Sequence, residues 1–92
     1  MLTIFFRKSQ NDPSINSTHI ALYVSLVWLW DKQGCQGSLS LYSRQIMAAA
    51  KIASSATYVR AMADLHQLKY VNYVPSYYWK TPSKIELLKH SS

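Results

Sequence analysis

The chain has one cysteine, two glycines, three prolines and only four acidic residues among 92. Cys35 alone closes no intrachain disulfide, and no Cys pair or Cys/His cluster has metal-ligand spacing, so a disulfide scaffold and a zinc finger are excluded. Long apolar runs are also missing. Ile20 to Trp30 is eleven residues interrupted by Ser25, well short of the roughly 20 a spanning helix requires, and it reads as a core helix. Met1 to Arg7 places apolar residues before positive charge, the reverse of a secretory signal, and offers no small-residue cleavage site. The expectation is a cytoplasmic protein with no membrane partner. Asn16-Ser17-Thr18 matches a glycosylation sequon, which has no meaning without a secretory route. Asp12, Asp31, Asp64 and Glu86 form no paired-carboxylate motif, and neither a Gly-rich phosphate loop nor a Ser/His/Asp or Cys/His arrangement is recognisable. These gaps point to a protein that is not an enzyme and that has no cofactor and no metal.

Hydrophobic residues supply 49% of the chain and aromatics 13%, which suits one small packed domain and not a disordered chain. The net charge is +6, and it is unevenly placed. Arg7 and Lys8 cancel Asp12 and Asp31 in residues 1–31. All the excess lies in residues 32–92, where Lys32, Arg44, Lys51, Arg60, Lys69, Lys80, Lys84 and Lys89 face only Asp64 and Glu86. A polyanion is the natural partner of such a segment, and a positively charged solubility surface is the plainer reading.

Asn11-Asp12-Pro13-Ser14 is a turn cluster, so residues 1–16 read as an N-terminal arm ahead of a domain at 17–92. Ser17 or Thr18 can cap a helix carrying Ile20 to Trp30, apolar nearly all round, that ends by Gly34. Ser38-Leu39-Ser40-Leu41-Tyr42 alternates with the period of a strand. Ser43 then caps a second helix through Ala48-Ala49-Ala50, Lys51-Ile52-Ala53 makes a tight connection, and Ser54 caps a third helix to about Leu68. Tyr58, Met62 and Leu65 share the core face of that helix. Tyr70 to Val74 and Lys84 to Leu88 read as two strands around a loop at 76–83. This order predicts an α+β fold of winged helix-turn-helix type, with a three-helix core, a short strand and a C-terminal β-hairpin wing.

The stretch from Ser54 to Val71 resembles winged helix-turn-helix transcription regulators at Ser54, Thr57, Tyr58, Arg60, Met62, Leu65, Tyr70 and Val71. A wider stretch, Ala21 to Ser76, is similar to small winged-helix proteins of Bacteroidetes, some linked to mobile elements. Two departures stand out. Lys69 occupies the place where the family usually has the Gly that ends the recognition helix, and the tip Tyr77-Tyr78-Trp79-Lys80-Thr81-Pro82 is more aromatic than the usual Gly- and Arg-rich wing.

With Tyr58, Met62 and Leu65 inward, Ser55, Ala56, Val59, Arg60 and Ala63 project outward from the third helix, whose N-terminal half would enter a major groove. Arg60 can contact guanine or phosphate, or it can pair with Asp64 one turn later. Ser54, Ser55 and Thr57 supply short donors at a helix N-terminus, although Thr57 could equally bond its own helix. Arg44, Lys51, Lys80 and Lys84 are candidate phosphate contacts. Tyr77, Tyr78 and Trp79 could stack on bases or pack on protein. His66 reads as a helix-end residue.

The expectation is thus a sequence-specific double-stranded DNA-binding protein, nucleoid-associated and acting as a transcriptional regulator. The alternatives are a winged-helix protein-interaction module and a mobile-element accessory factor for excision or replication. The all-round apolar first helix further suggests a homodimer, with Leu2, Ile4, Phe5 and Phe6 of the arm crossing to the partner or else folding back within the monomer.

Overall fold

The computed structural model describes residues 2–34, 37–75 and 81–88, with side chains from Phe5 onward. Four helices and three strands follow one another: α1 (Leu2–Gln10), α2 (Ser17–Lys32), β1 (Leu39–Leu41), α3 (Ser43–Ala50), α4 (Ser55–Gln67), β2 (Val71–Val74) and β3 (Ser83–Leu87). The strands form one antiparallel sheet in the order β1-β3-β2. Leu39 and Tyr73 flank Ile85 of the central strand from either side. Cys35, Tyr77, Tyr78, Trp79, Lys80 and Lys89 lie outside the described residues.

The sheet's inner face is set by the period-two pattern of β3. Ser83, Ile85 and Leu87 are buried, while Lys84 and Glu86 are exposed. Leu39 and Val71 join the buried face, and Leu22, Leu26, Ile46, Met62 and Leu65 from the helices complete the core. Here α2 packs on both α3 and α4, and α4 packs on β2.

The largest difference from expectation is at the N-terminus. Residues 2–10 of the expected arm form a helix. Phe5 is fully buried, stacked on Tyr23 at 4.0 Å between ring centres and set edge-on to Tyr70 at 5.1 Å. It therefore closes over its own chain instead of crossing to a partner, because the aromatic slot formed by Tyr23 and Tyr70 lies within reach. Burying a phenyl ring in such a slot stabilises by a few kcal/mol.

Two caps also differ. The residue that caps α2 is Asn16, one position earlier than expected: its Oδ1 accepts from the Thr18 and His19 N–H groups at 3.0 and 3.2 Å. In return the Asn16 N–H donates to His19 Nδ1 at 3.0 Å, so the imidazole takes the place that Glu or Gln holds in an ordinary capping box. For α3 the cap position is Tyr42, and its N–H donates to Gln45 Oε1 at 2.9 Å. Ser43 is the first residue inside that helix.

Candidate nucleic-acid interface

The site begins at the turn between α3 and α4. Lys51 stands in the left-handed region at φ 60°, ψ 36°. Its N–H donates to the Ala48 carbonyl and the Ile52 N–H to the Met47 carbonyl, which together close α3 with the paired bonds of a Schellman motif. The same motif ends α4. Lys69 has φ 66°, its N–H donates to the His66 carbonyl, and the Tyr70 N–H donates to that of Leu65. Glycine normally fills such positions, since a side chain there costs about 1 kcal/mol or more. The missing glycine at 69 therefore leaves the cap intact, with lysine bearing the strain.

Between these two turns, α4 follows its periodicity. Tyr58, Ala61, Met62 and Leu65 are buried, and the outward residues Ser55, Ala56, Thr57, Val59, Arg60 and Ala63 are all exposed. Ser54 has a structural task, because its Oγ accepts the Thr57 N–H at 3.3 Å and so caps the helix. The exposed face has two flanks. Ser55, Val59 and Ala63 line an open cleft of about 1100 Å³ shared with Ser43 of α3 and Tyr73 of β2. Ala56, Thr57 and Arg60 line a smaller groove of about 280 Å³ against Asn16, Thr18 and His19 at the start of α2.

Charges on this face are arranged by α2. His19 is almost fully buried, and because its Nδ1 accepts from Asn16, its Nε2 carries the proton that it donates to Asp64 Oδ2 at 2.9 Å. Among the described residues no carboxylate lies within ion-pair distance of Arg60, so the alternative Arg60–Asp64 pair is not formed. Deeper in the cleft, the Tyr58 hydroxyl is buried without a hydrogen bond of ordinary geometry, although the Tyr73 phenol approaches it. Burial, reinforced by that neighbour, pushes its ionisation well above the usual phenol range.

Lys51, Ser54, Ser55, Ala56, Thr57, Val59 and Arg60 follow one another along the turn and the first half of α4, and two further expected cations lie on other elements. Arg44 lies at the start of α3 with its guanidinium 4.5 Å from the centre of the Tyr42 ring. Lys84 is on the exposed side of the sheet, opposite Ser40 and Val74. Sequence reasoning missed Lys69, which lines the large cleft, and His19, whose Asn16-x-x-His19 spacing was the available clue. His66 accepts the Tyr73 N–H at Nδ1, tying the end of α4 to β2.

Among the described residues no cluster of His, Cys, Asp or Glu could hold a metal ion, and no helix is long and apolar enough to cross a membrane. Comparison with protein-family models, curated proteins and solved structures finds no match.

Proposed function

We propose that the chain is a winged helix-turn-helix protein that binds double-stranded DNA sequence-specifically and serves as a transcriptional regulator, with α4 in the major groove and the β2–β3 hairpin as the wing. The observation that carries this reading is the outward face of α4. Short side chains at Ser55, Ala56 and Thr57 let a groove approach closely, and Arg60 stands clear of any described carboxylate. The chain's entire +6 charge in residues 32–92 supports the same partner.

Titration of a labelled random duplex between low and physiological salt tests it. Binding should weaken steeply, with a log–log slope of about 0.9 per phosphate contacted. Absence of binding at the lowest salt would refute the reading. Arg60→Ala should then reduce discrimination between sites by about 1–3 kcal/mol, whereas Lys51→Ala should weaken all sequences alike.

A homodimer through α2 is a second proposal, favoured by Trp28, which remains 53% exposed on that helix. Sedimentation at micromolar concentration should show more than the 10.6 kDa of one chain. A mass that stays at one chain as concentration rises rejects the dimer.

A further inference from the structure

On a helix, residues four apart are surface neighbours, so an exposed Arg followed by an Asp at i+4 is within reach of pairing with it. Arg60 and Asp64 have that spacing on α4, yet Asp64 is held elsewhere. Its Oδ2 accepts from His19 Nε2, a residue of α2 that is 45 positions away in sequence. The imidazole has little freedom to release it, since its side chain is only 5% exposed and its other nitrogen accepts the Asn16 N–H. The Asn16 side chain is in turn fixed by the first N–H groups of α2. Thr57, Arg60, His19 and Asp64 all border the same small groove.

Resting on the DNA-binding reading of α4, we infer that His19 is a positioning residue for Arg60: it anchors the Asp64 carboxylate and thereby leaves the guanidinium available to nucleic acid. The effect is geometric. A neutral imidazole does not cancel the carboxylate charge; it decides where that charge sits. Without His19, Asp64 would turn to Arg60, occupy its donors and place a negative group where a DNA phosphate would approach.

The test uses His19→Leu, which keeps comparable volume and removes both ring hydrogen bonds, alone and combined with Asp64→Asn or Arg60→Ala. Circular dichroism reports the fold, and duplex titration reports binding. His19→Leu should weaken duplex binding about twofold, the size of an exposed i,i+4 ion pair. Adding Asp64→Asn should restore the affinity of Asp64→Asn alone, and in the Arg60→Ala background His19→Leu should change nothing. His19→Gln, which supplies the ordinary capping-box side chain and a donor for Asp64, should bind like the wild type. Equal weakening in the Arg60→Ala background, or no restoration by Asp64→Asn, overturns the inference and leaves His19 a structural residue.

A readout without DNA separates this inference from the function on which it rests. By ¹⁵N relaxation the Arg60 Nε–H should be mobile in the wild-type protein and ordered in His19→Leu. An ordered Arg60 already in the wild type overturns the inference, even if His19→Leu fails to fold. A wild type that shows mobile Arg60 and no duplex binding refutes the DNA reading alone.

Discussion

Helices α2 and α4 pack against each other and each buries one face, five residues in the first and four in the second. The faces they leave outside are opposite in kind. On α2, Ile20, Val24, Val27, Leu29 and Trp30 are half-buried and Trp28 is mostly exposed, with the Lys32 ammonium 4.6 Å from its ring centre. On α4 the outside is Ser, Ala, Thr, Arg, His and Gln, with Val59 the one large apolar side chain, 57% exposed. Surplus apolar surface on a helix calls for cover, and α1 supplies part of it through Phe5. Small and polar surface leaves room for another molecule to come close, which is why the candidate interface lies on α4 and the scaffold on α2.

The comparison is sharpened first where the two helices are alike. Leu22→Ala on α2 and Met62→Ala on α4 each remove a side chain with no solvent exposure. Each should cost about 2–5 kcal/mol by urea unfolding, with the midpoint shifted at constant slope. A much smaller loss for either would mean that its helix is not part of the common core.

Alkaline pH should strain both helices together. Burial raises the ionisation of Tyr23 on α2, Tyr58 on α4 and Tyr70 just beyond it above the ordinary value of 10.0, with Tyr70, Tyr73 and Asp12 respectively adding to the rise. In each case the folded protein keeps a proton that the unfolded chain has lost. Their stabilising contribution is therefore complete below pH 10 and declines as pH climbs through the raised values. Urea midpoints measured from pH 8 to 11 should stay level and then fall, and a level line throughout would contradict the burial.

A smaller effect of opposite sign is expected beside α4. Lys51→Gly relieves a left-handed side chain and should raise stability by about 0.5–1 kcal/mol while weakening DNA binding. Higher stability with unchanged binding would remove Lys51 from the interface. Smallest of all, Trp28→Ser on α2 should shift stability by less than about 0.5 kcal/mol in a monomer. A larger, concentration-dependent loss is what the proposed dimer predicts, and would make α2 an interface between copies as well as a scaffold.

Much of this organisation was legible in the sequence. The order and approximate place of α2, α3, α4 and the three strands follow from periodicity and turn residues, Ser54 caps α4 as expected while the caps of α2 and α3 fall one residue earlier, and the outward face of α4 follows from Tyr58, Met62 and Leu65 alone. The helix at 2–10 was not legible, because its nine residues carry no capping signal, include the β-branched Thr3 and Ile4, and are held by a tertiary slot that no local pattern announces. Asn16, Ser17 and Thr18 are three adjacent capping residues, and the choice among them was made by His19. The His19–Asp64 bond links distant parts of the chain, and such pairings are set by packing.

The order β1-β3-β2 places β3, the last of the described strands, in the middle of the sheet. During synthesis, β1 and β2 therefore have no partner strand until residues 83–87 emerge, and neither can pair with the other in the finished register. The helices can associate earlier through α2, but both ladders of the sheet depend on the same incoming strand. A nascent chain stalled before residue 83 would thus display two unpaired strands, the state most open to capture by a chaperone or by another nascent chain.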